Sequence, residues 1–256
     1  MTTNVLKSLL DYKADLYNRP EFIPDDPVSI PHRYHKKEDI EIAGFLTAIL
    51  SWGQRKTTIR NASRWMALMD DAPYDYIMNS TEEDQKRLLS FVHRTFNGDD
   101  CLYFVQSLQK TYLAGGGLEK LFSPSYPERQ MDMGTAISRA RQRFFESPHL
   151  PRTNKHLPDP CKGSAAKRLN MFLRWMVRKD DRGVDFGLWK RIRMDQLRCP
   201  LDVHSGTVAR KLKLLSRKQN DWQATEELTA SLRELDPDDP VRYDYALFGM
   251  GIYENF

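Results

Sequence analysis

Apolar residues spaced three and four apart recur along the chain, and no stretch alternates as a half-buried strand would. Such spacing puts apolar side chains on one face of a helix, so it predicts an all-α protein. Residues 40–50, "IEIAGFLTAIL", are apolar nearly all round and predict a helix buried on every side. Prolines set where helices cannot run. "RPEFIPDDPVSIPHRYHKKED" at 19–39 reads as a connection. Residues 147–162, "SPHLPRTNKHLPDPCK", hold four prolines and read as a linker or a functional loop.

Between those breaks the periodicity predicts a helix over 4–17 and, after a break at Gly53, another over 56–69 with Ile59, Trp65, Met66 and Met69 inward. Further helices are predicted in "EEDQKRLLSFV", "CLYFVQSLQKTYL" and "MGTAISRARQRFFES". They resume at about 164 in "SAAKRLNMFLRWMVRK", with a short one at "FGLWKRI", one over 203–215, and two more in "NDWQATEELTASLREL" and "DPVRYDYALFGMGIYE". No repeat of fixed period is present. The expectation is one compact unit of two helical lobes with a cleft. One lobe contains 40–150 and the other 160–256, and the N-terminal helix packs on one of them.

No run of 18 apolar residues exists, so no membrane span is expected. The N-terminus reads as an amphipathic helix rather than a signal peptide. Cys101, Cys161 and Cys199 are odd in number and loosely spaced, which fits a reducing cytoplasm without a disulfide framework. They cannot supply the four thiolates of an iron–sulfur cluster. "HRYH" at 32–35 lacks a second ligand pair, so neither a metal nor another cofactor is expected.

Charge is distributed unevenly. From Arg152 to Lys218 there are 18 Lys and Arg against 6 Asp and no Glu, a net of +12 in a chain of net +4. The remainder is therefore −8. A concentration like this attracts phosphate backbones, although a solvated charged face would look the same.

Three blocks carry candidate chemistry. In "GSAAKRLNMFLRWMVR", Gly163 and Ser164 follow Pro160, so the chain turns tightly into a helix whose first N–H groups can hold a phosphate. Lys167 is expected one turn in. Apolar Phe172, Leu173, Trp175 and Met176 beside it would disfavour its charged form and yield an amine nucleophile. A plain surface lysine is the competing explanation.

In "CPLDVHSGTVARKL", Asp202 opens a helix. An acid there caps free N–H groups, and it can also take a proton or stabilise a cationic sugar transition state. His204 sits in the first turn, where packing or a backbone bond explains it better than catalysis. Lys162, Gly163, Ser164, Arg168, His204 and Arg210 form the expected DNA-facing set. In "FLTAILSWGQRKTTI", Trp52, Gln54 and Arg55 stand at a helix break, where Gln54 could fill the gap left by an extruded base. Trp52, Trp175 and Phe248 are the candidate base-pocket aromatics.

"ILSWGQRKTTI" resembles the "LSxQ" helix–loop of the helix-hairpin-helix DNA glycosylases. "PLDVHSGTVARKL" resembles their "VDTHVxR" segment, whose catalytic Asp matches Asp202, and "YDYALFGMGI" resembles the following "xxALxxLG" helix. The three occur in order across residues 38–252. "KRLNMFLR" is similar to the "KExxxFLR" helix of archaeal 8-oxoguanine glycosylases. The chain also resembles a bacterial family of unassigned function with the same "KGSxxKRLNMFLRWMVR" and "PLDxH" phrases.

The glycosylase resemblance implies a helix-hairpin-helix, two-lobed DNA repair glycosylase with abasic-site lyase activity. Lys167 would be its Schiff-base nucleophile, with Lys162 as rival, and Asp202 its catalytic acid. The implied partner is double-stranded DNA with a damaged base, an oxidised purine by the archaeal likeness, or an abasic site. A cytoplasmic, nucleoid-associated monomer is expected. The sequence departs from the pattern in three places. The "LPGVGxK" hairpin is replaced by "DPCKGSAAK", with Lys167 four residues after Gly163. The 35-residue gap from Lys167 to Asp202 is longer than in the common members. The iron–sulfur cysteines of some members are missing. A binding protein of the same fold without chemistry, and an all-α protein–protein adaptor, are the alternatives.

Overall fold

The computed structural model describes residues 2–123, 132–254 and 256. It is 67% helix and 2% strand, an all-α protein. In chain order the helices are α1 (Thr3–Tyr17), α2 (Lys37–Leu50), α3 (Arg55–Leu68) and α4 (Pro73–Asn79). Next come α5 (Glu82–Lys86), α6 (Gly98–Leu113), α7 (Gly117–Phe122) and α8 (Met133–Phe144). The last four are α9 (Lys167–Val177), α10 (Val203–Lys211), α11 (Trp222–Leu235) and α12 (Tyr243–Tyr253). The two proline-rich stretches form only short 3-10 turns, as the fixed φ and missing N–H of proline require.

Two compact units divide the chain. The first comprises the described residues of Met1–Phe22, Gln130–Ile137 and Asp159–Phe256, and the second those of Ile23–Arg129 and Ser138–Pro158. The core of the first unit joins Leu10 and Ala14 of α1 to Val208 and Ala209 of α10, Leu228 and Leu232 of α11, and Leu247 and Met250 of α12. Gly249 permits the approach of α1. A Cβ there would stand 2.1 Å from the Tyr17 ring. The second unit is built around α2, whose residues from Ile40 to Leu50 are all buried. Aromatic rings fill the space around it. Phe45 lies 6.2 Å from Phe104 and 5.6 Å from Phe144, and Trp65 lies 5.0 Å from Phe96. Each such buried side chain contributes roughly 1.5–3 kcal/mol, which is why the apolar period decides the fold.

Four expectations change. The helix expected over 186–192 is absent, because this segment closes the end of α9 instead. The N–H groups of Phe186 and Trp189 donate to the carbonyls of Trp175 and Met176 at 2.8 and 2.9 Å, and Gly187 has φ +57°. α10 stops at Lys211 rather than 215, since Lys213 turns left-handed (φ +62°) and Leu214 bonds back to the Ala209 carbonyl. α5 is a single turn followed by a 3-10 turn, Arg87–Ser90. A small antiparallel hairpin, β1 (Val92–His93) with β2 (Phe96–Asn97), was invisible to periodicity because two residues per strand cannot display an alternation.

Candidate functional site

The site begins in the turn before α9. The Asp159 carboxylate accepts the Cys161 N–H at 3.1 Å and closes the 3-10 turn Pro160–Lys162. Gly163 follows with φ +86°, a conformation that favours glycine. Its carbonyl accepts the Trp222 N–H at 3.0 Å, and Ser164 forms a β-bridge to Asp221, so the turn is tied to the start of α11. Ala166 is also left-handed, at φ +47°. Its N–H donates to Ser164 Oγ at 3.2 Å, and its carbonyl accepts from Leu169 and Asn170. The left-handed backbone at 163 and 166 moves the helix start from about 164 to Lys167. Lys167 is therefore the first helical residue and not one turn in.

Asp202 caps α10. Its Oδ1 accepts the Ser205 N–H at 3.0 Å, while Ser205 Oγ accepts the Asp202 N–H at 2.9 Å. The second carboxylate oxygen is left for another partner. Asp202 Oδ2 stands 3.7 Å from Lys167 Nζ, with the two side chains 24% and 28% exposed. One acid thus serves both as a cap and as the group facing the amine. A pair this open to water is worth about 1 kcal/mol or less, so stability alone gives little reason for it. The apolar neighbours of Lys167 in sequence, Phe172, Leu173, Trp175 and Met176, are buried in the core.

Sequence reasoning missed a second acid. Asp244 of α12 is 6% exposed and bonded to Arg174 of α9. Burial pushes its carboxyl up to about 6; Arg174 and Lys167 oppose the rise, and Asp202 adds to it. Arg174 also reaches Asp185 at 3.3 Å, with its guanidinium 4.2 Å from the Tyr245 ring centre. One turn on, Arg178 meets Asp180 at 2.6 Å, Asp185 at 3.2 Å and Asp239 at 2.9 Å. The available signal was an acid inside the apolar run "VRYDYALFGMGI", since an acid in a buried helix must be paired.

The other expected residues of the first unit lie in different environments. Lys162 and Gly163 are exposed, and Ser164 is half-buried. Arg168 is half-buried, and burial disfavours its charge. His204 is exposed, its Cβ set against Gly251 of α12. Arg210 is spent on the loop after α10, donating to the carbonyls of Arg217 at 2.8 Å and Gln219 at 3.3 Å, and to Asn220 Oδ1 at 2.6 Å. Trp175 is fully buried, so it is a core side chain rather than the wall of a base pocket. Phe248 is half-buried with its ring 6.0 Å from Phe22.

Trp52, Gln54 and Arg55 belong to the second unit. Trp52 is half-buried, its indole N–H has no hydrogen-bond partner among the described residues, and the Arg94 guanidinium lies 4.9 Å from its ring centre. Gln54 is exposed just ahead of α3, and Arg55 is half-buried. Among the described residues no group of three His, Cys, Asp or Glu could hold a metal ion, and no helix is long and apolar enough to cross a membrane.

A lysine and a carboxylate facing each other at a water-accessible point define the class of site: an amine with a proton acceptor at its side. Residues 26–253 match the model of a family described as "Protein of unknown function (DUF2400)", and the chain belongs to that family. It matches no curated protein and no solved structure.

Proposed function

We propose that this protein is a DNA glycosylase with abasic-site lyase activity, of helix-hairpin-helix type, using Lys167 as nucleophile. The observation that carries the reading is the 3.7 Å separation of Lys167 Nζ and Asp202 Oδ2, two groups 35 residues apart in sequence. Asp202 takes a proton from the Lys167 ammonium. The free amine attacks C1′ of the deoxyribose, and the bond from C1′ to the base breaks. Its electron pair leaves with the base, which picks up a proton. The nitrogen, which gave its first proton to the departing base, then expels O4′ with the electron pair of the C1′–O4′ bond and passes it the remaining proton, leaving an open sugar and a C1′=N Schiff base. Removal of a C2′ proton then expels the 3′ phosphate and nicks the strand, and water hydrolyses the imine to regenerate Lys167. A positioned proton acceptor contributes about 10²–10⁴-fold to such a step. A base inside a duplex must leave the stack before C1′ can be attacked in this way. The resemblance to archaeal glycosylases supports an oxidised purine as the leaving base.

Borohydride trapping tests the reading. Incubation with DNA bearing an abasic site or 8-oxoguanine, followed by reduction, is expected to give a covalent band. Lys167→Ala should abolish it and Lys162→Ala should keep it. Salt-sensitive DNA binding with no band on either substrate would replace this reading with a non-catalytic nucleic-acid-binding protein.

A further inference from the structure

We infer that the outer face of α3 is a landing surface for the phosphate backbone of duplex DNA. α3 carries Arg55, Lys56, Arg60 and Arg64 and no acid. Its inner face is fixed by Thr58, Ala62, Trp65 and Met66, all buried. Lys56, Arg60 and Arg64 fall four residues apart on the opposite side, and all three are exposed. They form a stripe about 12 Å long, as eight residues of helix rise, which spans three to four nucleotides of one strand.

None of the three has a carboxylate within ion-pair distance among the described residues. Arg64 alone is tethered, donating to the Ser90 carbonyl at 3.1 Å. Two acids on nearby segments close on other cations, while Asp25, exposed and without an ion pair among the described residues, lines a groove beside the stripe. Asp71 meets Arg33 at 2.6 Å and Asp70 meets Arg87 at 2.5 Å. Like charges four residues apart repel along a helix, and the single Asp25 carboxylate in the groove leaves two of the three charges without a counterpart, which a polyanion would supply.

The face borders an open groove of about 610 Å³ that is lined also by Ile59, Ser63, Pro24 and the acid Asp25. A protein partner would be anchored by aromatic and apolar side chains, and Ile59 is the only large apolar group here. Three cations and the Ser63 hydroxyl suit phosphate oxygens, while Ile59, Pro24, Ala67 and the stems of the long side chains make the rest of the lining apolar. The choice of DNA rests on the preceding reading. The surface itself belongs to the second unit and is independent of Lys167.

The test is anisotropy titration of the full-length protein with a short undamaged duplex across a salt series. The double variant Lys56→Gln/Arg60→Gln, which spares the Arg64 tether, is expected to bind about tenfold more weakly near physiological salt. Its slope of log affinity against log salt should fall by about two, and its melting temperature should not fall. Lys110→Gln/Lys120→Gln, two exposed cations of the same unit, should stay within about twofold of wild type. An unchanged slope in the α3 variant overturns the inference, as does single-stranded RNA outcompeting the duplex, or a wild-type chain that binds no duplex. Trapping separates the two proposals. A Schiff base formed with α3-independent binding keeps Lys167 and discards this surface. Duplex binding through α3 with no Schiff base does the reverse.

Discussion

The segment 152–218 and helix α3 are both basic in sequence, but they are basic in different ways. The segment holds 18 cations. At least eight of them close on carboxylates: Arg152, Lys167, Arg174, Arg178, Arg182, Arg193, Arg198 and Arg217. Several of the acids come from outside the segment, among them Asp15, Asp221, Glu226, Asp239 and Asp244. The +12 segment and the −8 remainder therefore interlock and are not two opposed surfaces. Lys162, Lys179, Lys211, Lys213 and Lys218 stay exposed without an ion pair among the described residues. α3 lies within the acidic remainder, where a windowed sum hides it, and three of its cations keep their field. Charge summed along a chain measures composition. The potential that a phosphate meets is set by which cations remain unpaired.

The sharpest way to break this contrast is to remove a paired arginine. Arg174 sits between Asp185 and Asp244, with side-chain exposures of 5%, 0% and 8%. Arg174→Met should cost about 3–5 kcal/mol, because it strands buried carboxylates. It should leave the salt slope of DNA binding unchanged. Chemical denaturation reads the first quantity and anisotropy the second. A loss below about 1 kcal/mol together with a shallower salt slope would place Arg174 on the binding surface instead.

Two buried acids, one in each unit, give pH dependences of opposite sign. Asp244 has its folded value raised from 3.8 to about 6. The folded state therefore holds a proton that the unfolded state has released, and stability falls as pH rises from about 4 through 6. Asp100 behaves in reverse. Burial pushes it up, but the hydrogen bonds from His156, the Asn97 N–H and Thr153 outweigh burial and bring it from 3.8 to about 2. Its contribution is present above about 4 and is lost as pH falls toward 2. Each effect is on the order of 2 kcal/mol. Denaturation between pH 2.5 and 7 should show Asp244→Asn flattening the upper limb and Asp100→Asn the lower. An Asp244→Asn curve that still declines between pH 4 and 6 would remove Asp244 as the cause.

How far the sequence carried the fold depended on the length of each signal. α2 was legible because eleven consecutive buried residues leave no other solution. The start of α10 was legible because an acid, Asp202, marks it. The start of α9 was not, because its position follows from a left-handed Ala166, a conformation alanine does not announce. The helix expected at 186–192 failed for a tertiary reason, since its N–H groups complete another helix. In the site, Lys167 and Asp202 could be singled out by residue type and neighbours, and their approach across 35 residues came only from folding. Asp244 and Arg174 were harder: each is one half of a pair, and neither half shows its partner.

Asp202 is where the contrast between paired and unpaired charge is least decisive, since its two oxygens do different things. Asn caps a helix as well as Asp, so Asp202→Asn should keep the bond to the Ser205 N–H and change stability by about 1 kcal/mol or less. Asp202→Ala loses the cap as well and should cost about 1 kcal/mol. In Asp202→Asn the group opposite Lys167 Nζ can no longer take up a proton, so Schiff-base trapping should slow by about 10²–10⁴-fold while the protein stays folded. The two variants should then agree in trapping, with Asp202→Ala no more stable than Asp202→Asn. Wild-type trapping in Asp202→Asn would reduce the acid to a helix cap. The 3.7 Å approach to Lys167 would then be one more surface ion pair, of the same kind as Arg193 with Asp195.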